Sequence, residues 1–316
     1  MVPLSTGELA VHGLGVVAPG TDAAPEPGWF DAAAELPGRG LRRLPPASQY
    51  LLAAAARAVA DAGGRWAGTD RERRAAVVAT NNAGAALTEE LDSTIIRAGA
   101  KELWPSLSPY STMSSFAGRL SIEQGITGFT LTVNSPATAG IEALQIAARA
   151  VAVGRAATVL VAATEETLSP AQSAGRASQT GAAVLCCSAA GPRYGTCRAR
   201  SAFLAAADCG PVLARLLGED PPDRIEAVVE DSAIGAAVAR WLDRVPGCEV
   251  AVVPVHGGCL TPLLQVAARL AEEHPAPVRR AVLAASAEGT LALAELTVTP
   301  RPPALTGTPP PSPGGQ

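Results

Sequence analysis

The sequence predicts a layered α/β protein built of two successive β/α halves, and three observations carry that reading. Short β-branched runs alternate with alanine-rich stretches of helical periodicity. The strand candidates are near-continuous apolar runs, as in largely parallel sheets covered by helices on both faces. The alternation runs twice through the chain, so the halves are expected to divide as 1–166 and 167–299, with a disordered proline-rich tail over 300–316.

In chain order, ELAVHGLGVV (8–17) is the first strand and the Pro/Gly-rich APGTDAAPEPG (18–28) a surface loop. SQYLLAAAARAVADAG (48–63) is a helix with a serine cap signal at its start and glycine at its end. AAVVAT (75–80) and FTLTVN (129–134) are strands, AGIEALQIAARAVAVG (139–154) is a helix closing on glycine, and ATVLVAAT (157–164) is the next strand. The second half repeats this with strands at 181–189, 224–230, 248–255, 281–287 and 291–298 and helices at 234–245 and 261–274.

With 316 residues, 48% hydrophobic and 17% charged, the chain can bury a sizeable core and is not disordered over most of its length. A formal net charge of -4 excludes a basic nucleic-acid footprint. No apolar run approaches the ~18 residues of a membrane span, and MVPLSTGELA lacks the pattern of a signal peptide. The expectation is a cytoplasmic protein with neither membrane nor nucleic acid as partner. Six cysteines at 186, 187, 197, 209, 248 and 259 form no CxxC pair, and with three histidines no metal site and no cofactor is expected. Cys186 and Cys187, inside GAAVLCCSA, read as small buried hydrophobes with inert thiols.

From Phe129 to the glutamates at 165 and 166 the chain runs strand, tight turn, helix, glycine, strand: FTLTVNSPATAGIEALQIAARAVAVGRAATVLVAATEE. This resembles the nucleophile segment of the β-ketoacyl synthases. VHGLGVVAPG (11–20) is similar to that family's opening strand, AAVVATNNAG (75–84) to its second strand and loop, and AVLAASAEGTLALAELTV (281–298) to its closing pair. The resemblance implies a thiolase-like fold of two pseudo-symmetric halves. It is shortened in the second half, because the stretch between Glu166 and Arg224 is much shorter than in a full ketosynthase.

In that family a cysteine at a helix N-terminus is the nucleophile, where unpaired N–H groups and the helix dipole favour its thiolate. The resemblance places Ala137 of TVNSPATAG at that position, and a methyl group forms no thioester. The glutamine found there in some chain-length subunits is absent too. RIEAVVEDSAIG (224–235) puts Asp231 at the first histidine, and PVHGGCLTPLLQVA (254–267) puts Pro254 at the lysine and Cys259 at the second histidine. An anionic aspartate does not donate toward an enolate oxygen. The implied catalytic set is therefore empty at Ala137, Asp231 and Cys259.

Other chemistry-bearing residues have plainer roles open to them. His256 and Cys259 form a possible Cys/His pair without an orienting acid, and read better as a turn histidine and a helix-cap neighbour. Ser135 and Thr138 offer hydroxyl nucleophiles, but no general base stands at the expected places and N-capping is the favoured reading. Glu165 and Glu166, adjacent at a strand end, point to opposite faces; Glu165 matches a family glutamate and reads as structural. Asn81, Asn82 and Gly84 follow a strand where a phosphate-cradling loop would sit, without a GxGxxG or P-loop pattern.

Loss of chemistry with retention of scaffold points to the chain-length-factor type: a non-catalytic subunit pairing with an active ketosynthase in a type II polyketide synthase and shaping its acyl tunnel. The implied partners are that ketosynthase and an acyl carrier protein with its phosphopantetheine-bound chain. The implied dimer strand is Thr130, Leu131, Thr132, Val133 and Asn134, and the implied tunnel segment WPSLSPYSTMSSF carries Trp104, Tyr110, Met113 and Phe116, the last three expected along one helical face. Core or interface packing is the equal alternative for these four. Two further functions stay open: a free-standing acyltransferase or hydrolase using Ser135, Thr138 or Cys259, and a homodimeric pseudoenzyme that binds an acyl carrier or small ligand.

Overall fold

The computed structural model describes residues 7–19, 28–38, 40–103, 108–173, 178–205, 208–255 and 257–301. Trp104, His256 and the tail after Arg301 lie outside them, as does most of the 18–28 loop.

Ten strands occur in the order β1 (Leu9–Val17), β2 (Arg74–Ala79), β3 (Phe129–Val133), β4 (Thr158–Glu165), β5 (Gly181–Ser188), β6 (Gly195–Phe203), β7 (Arg224–Glu230), β8 (Glu249–Val255), β9 (Val278–Ala285) and β10 (Thr290–Val298). The helices are α1 (Ala32–Glu35), α2 (Pro46–Asp61), α3 (Gly64–Ala67), α4 (Ala85–Ala98), α5 (Ser114–Gln124), α6 (Ala139–Ala152), α7 (Cys209–Leu217), α8 (Ala233–Leu242) and α9 (Leu260–Ala271).

The strands form one sheet in the order β3-β2-β4-β5-β1-β6-β10-β9-β7-β8. From the centre outward the halves read β1, β5, β4, β2, β3 and β6, β10, β9, β7, β8, the same sequence-relative order twice. In both, three strands run parallel, and the fifth of each half, β5 or β10, lies antiparallel to both neighbours. The halves join through β1 and β6, antiparallel over Leu9↔Cys197, Ala10↔Thr196 and Val11↔Gly195. Strand β5, which follows residue 166, pairs with β1 and β4, and on that pairing we propose that the halves divide at the turn between β5 and β6.

Helices α6 and α9 lie between the halves. The first packs on β2, β4, β6 and β10, the second on β4, β5, β9 and β10, and residues of both halves share one core there. On the outer face of the first half, α2 and α5 cover a second core; α7 and α8 cover the matching face of the second half. Contact between β1 and α2 is close enough to require glycine: a Cβ on Gly13 or Gly15 would come within 2.1 or 1.9 Å of the Ala58 or Ala54 carbonyl.

Some sequence expectations change. Helix α2 begins at Pro46 behind Pro45, so Ser48 is no cap; it is buried in the first turn with an unpartnered hydroxyl. Proline serves this start because its missing N–H is one that the first turn leaves unbonded. Strand β6 was not anticipated, since Arg198, Arg200 and Ser201 interrupt its apolar run while Cys197 and Ala199 alternate into the core. Nor was α4, in which Leu87 alone is buried.

His12 on β1 is 3% exposed, with Nε2 2.8 Å from the Ser188 hydroxyl. Burial, followed by the charge of Arg65, lowers its pKa to about 4. Folded protein then keeps His12 neutral while the unfolded chain protonates it below about 6.5, so its contribution is full above pH 6.5 and is lost as pH falls toward 4. The loss amounts to roughly 3 kcal/mol. Burial raises Glu165 and Glu166, which act in the opposite sense: their contribution is full below about 4.5 and falls as pH rises. The measurement that isolates His12 is therefore the stability difference between wild type and His12→Gln by urea unfolding, expected to grow by about that amount from pH 4 to 6.5; a constant difference would refute it.

Candidate functional site

The site forms where the strand ends after β2, β3 and β4 meet the N-termini of α6 and α9. Ala137 closes the turn between β3 and α6 and is the non-glycine residue with positive φ (55°) among those described. This left-handed conformation costs a β-carbon-bearing residue about 1 kcal/mol. It is held by the Ala137 N–H donating to the Gly258 carbonyl at 3.0 Å, which ties the start of α6 to the start of α9. The same junction leaves no room at Gly140, whose Cβ would lie 3.0 Å from the Cys259 carbonyl. Ala137 is fully buried and presents a methyl group.

Glu165, fully buried at the end of β4, is the centre of the polar network. Its Oε1 accepts from the Asn81 N–H (3.0 Å), the Cys259 N–H (2.8 Å) and the Cys259 thiol (3.2 Å), and its Oε2 accepts from the Asn82 N–H (2.6 Å) and the Thr80 hydroxyl (3.4 Å). Burial pushes its pKa up, and the Asn82 N–H, the Cys259 thiol and the Cys259 and Asn81 N–H groups pull it back. The loop at Asn81 and Asn82 thus does cradle an oxyanion, but it is the protein's own carboxylate. Glu166 faces elsewhere and accepts from the Ala86 N–H at 3.0 Å, so the two adjacent glutamates do act on opposite sides.

Cys259 is the N-cap residue of α9 and makes no side-chain cap bond. Burial first, then Glu165 and Glu142, hold its thiol well above the ordinary value, so it donates a hydrogen bond and supplies no thiolate. Cys186 and Cys197 are pushed by burial to about 12, in keeping with inert thiols.

The hydroxyls of Ser135 and Thr138 are not N-caps. Both donate to Glu142, one turn into α6, at 3.0 and 2.8 Å, and α6 has no side-chain cap bond. Glu142 was missed in the sequence because it looks like an ordinary acidic residue of a helix's first turn; only the i,i+4 spacing from Thr138 hinted at the contact.

Asp231 stands apart. It is exposed in the turn before α8, whose N-cap is Ser232, and lines a pocket of 290 Å³ with Val229, Glu230, Gly235 and Pro254. Among the described residues it shares no hydrogen bond with the Glu165 network. Pro254 lies on β8, paired only with β7, where an edge strand tolerates a missing N–H.

Tyr110, Met113 and Phe116 do not share a helical face. Tyr110 belongs to a 3-10 turn (Ser108–Ser111), Met113 is the N-cap residue of α5, and Phe116 is fully buried among α2 and β2 residues. Tyr110 packs edge-on to Phe116 at 6.3 Å, and the Met113 sulfur accepts from Asn134 Nδ2 at 2.7 Å, joining this segment to the end of β3.

The family model for the β-ketoacyl synthase N-terminal domain matches residues 27–199, more than half of the chain. The chain belongs to the β-ketoacyl synthase family. A curated relative, 3-oxoacyl-[acyl-carrier-protein] synthase 2 of Vibrio harveyi, is 25% identical over 146 residues, 46% of this chain and 35% of its own length. The chain thus spans only about a third of the length of that relative. Among solved structures it resembles the ishigamide ketosynthase/chain length factor (TM-score 0.75, 22% identity, 92% of this chain and 99% of that one). It also resembles a type II PKS acyl-carrier protein complex with its ketosynthase bound to the hexaketide (TM-score 0.73, 15% identity, 93% and 100%). A third is the oxazolomycin ketosynthase domain of Streptomyces albus (TM-score 0.63, 17% identity, 93% and 96%). These neighbours are thiolase-fold ketosynthases, and the fold of this chain is theirs. Among the described residues no helix is long and apolar enough to cross a membrane.

Proposed function

We propose that this ketosynthase-family chain is the non-catalytic, chain-length-factor type of subunit, pairing with an active ketosynthase and receiving the acyl chain delivered by an acyl carrier protein. The observation that carries the reading is the turn at Ala137: at the position where the resemblance expects the nucleophilic cysteine, a buried methyl group is held at φ 55°, and the nearby Cys259 thiol is held protonated against Glu165. Co-expression with an active type II ketosynthase should give a stable 1:1 complex, and the purified chain alone should not decarboxylate a malonyl-carrier substrate. Turnover by the partner-free chain would reject the reading.

The open edge of β3 supports pairing. Among the described residues this strand bonds to β2 on one side only, Leu131 is 42% exposed, and Ile122 of the adjoining α5 is 71% exposed. FTLTV carries no charge or proline to blunt that edge. Leu131→Asp should abolish the complex, which would otherwise bury well over ~2,000 Å², while the variant's circular dichroism stays that of wild type. A complex that forms unchanged would exclude β3 from the interface. In this reading Met113, bonded to Asn134 at the end of β3, and Tyr110, packed on Phe116, shape the partner's tunnel, with Phe116 in the core behind them.

One observation favours a second reading, acyl transfer or hydrolysis at Ser135 or Thr138: the Glu142 carboxylate sits within hydrogen-bond distance of both hydroxyls. Intact-mass analysis after incubation with an activated acyl thioester separates the two, since only the second yields a covalent adduct that Ser135→Ala or Thr138→Val removes.

A further inference from the structure

A cavity of 760 Å³ opens at the opposite end of the sheet from the Glu165 network, where β2 and β4 begin and β5 ends. The length of β4, Thr158–Glu165, separates the two by roughly 25 Å. Its polar lining is Arg65, Arg73, Thr69, Thr158 and Ser188; alanines, Gly68 and Val151 make the remainder.

The main chain of both arginines is pinned. Ala157 N–H donates to the Arg73 carbonyl at 2.8 Å, and the Thr69 hydroxyl to the Arg65 carbonyl at 2.9 Å. Thr69 Oγ1 also lies 2.8 Å from Thr158 Oγ1, which is on a residue 2% exposed. Arg193 nearby is paired with Asp61, but among the described residues neither Arg65 nor Arg73 has a carboxylate within ion-pair distance. The last carbonyls of α6 at this wall are occupied: those of Arg149, Ala150 and Val151 accept from Val153, Arg155 and Gly154, which blunts the negative end of the helix. Two guanidinium groups without anionic partners and small apolar walls suit a phosphoryl group carried on an uncharged organic body, while the Thr69 and Thr158 hydroxyls, whose protons go to the Arg65 carbonyl and to Thr69 Oγ1, brace the wall.

We propose that this cavity binds a small phosphorylated metabolite, with Arg65 and Arg73 on the phosphoryl oxygens and the alanine walls around the organic part. The site is independent of the ketosynthase reading, because it lies at the other end of the sheet and uses none of the residues named for that function. His12, bonded to Ser188 at the cavity wall and already within the field of Arg65, reports occupancy: an anion beside Arg65 raises the His12 pKa.

The test is calorimetric titration of the full chain with inorganic pyrophosphate and with ADP, alongside sulfate and citrate, combined with NMR titration of the histidine ring signals. Expected are saturable binding of pyrophosphate and ADP, weaker binding of sulfate and citrate, and an upward move of the His12 pKa from about 4 on saturation. Arg65→Ala/Arg73→Ala should weaken binding by about tenfold or more, and Arg215→Ala, in the other half, should not. If the double alanine variant fails to fold, Arg65→Lys serves instead: it keeps the charge, loses the two-pronged contact and should still weaken binding. Affinity unchanged in the arginine variants, equal affinity for all four anions, or an unmoved His12 would overturn the proposal.

Discussion

Replacing Glu165 by alanine should lower the stability of the protein by about 3–5 kcal/mol, because it removes the single acceptor of three backbone N–H groups, one buried and two partly buried. Asn81, Asn82 and Cys259 all donate to this carboxylate, and each orphaned donor costs roughly 1–3 kcal/mol. Relief of the carboxylate's own desolvation offsets part of that sum, which keeps the total near the middle of the range. Glutamine should not rescue the fold, since its NH2 group would turn one donor against others. The pattern of loss is also diagnostic: Asn81 and Asn82 follow β2, Glu165 ends β4 and Cys259 begins α9, so the variant loosens the junction between halves. Urea unfolding with an intrinsic tryptophan signal measures the change, and a loss below about 1 kcal/mol would mean that water or a neighbouring group replaces the acceptor.

Phe116→Ala should cost about 3–5 kcal/mol as well, by a different mechanism. The ring is fully buried in the core that α2 and α5 form over β2, and its removal leaves a cavity beside Tyr110 and Gly84. A product-length change in this variant would therefore be confounded with loss of the complex. Met113→Ala is the cleaner probe of tunnel shape, since Met113 is partly exposed and rests at the helix start. Reconstituted complexes with Met113→Ala should give longer products at intact stability, read by mass spectrometry alongside gel filtration. An unaltered product distribution from an intact complex would assign Met113 to packing.

Much of this architecture was legible in the sequence because its central strands are buried on both faces. AAVVAT, ATVLVAAT and AVLAASA are apolar throughout, and helices such as AGIEALQIAARAVAVG show a strong apolar stripe. What escaped were α7, a short helix although five of its nine residues are buried, and elements that bury little. Strand β6 carries arginines on one face because that face is half exposed, and α4 buries Leu87 alone and is largely polar, so neither reads as a core element. At the site, Ala137, Glu165 and Cys259 were found by position, and the residues that unite them were not. The pairing of Glu142 with Ser135 and Thr138 depends on how the turn at Ala137 sets the first turn of α6, and the three N–H donors to Glu165 come from loops distant in sequence. The expectation that Tyr110, Met113 and Phe116 shared a face assumed one helix across a segment that is a 3-10 turn followed by a new helix start.

The pairing of β1 has a consequence for the order in which the molecule assembles. Its bonding partners are β5, reached only at residue 188, and β6, beyond it. Throughout synthesis of the intervening chain the first strand waits without a strand partner, covered on one face by α2, while β2, β3 and β4 have one another. Closure of the first half is a late, long-range event, and such topologies fold slowly. During that interval the apolar run Leu9–Val17 is the segment most in need of a chaperone, and a pulse of proteolysis on nascent chains shorter than about 190 residues should cut there first.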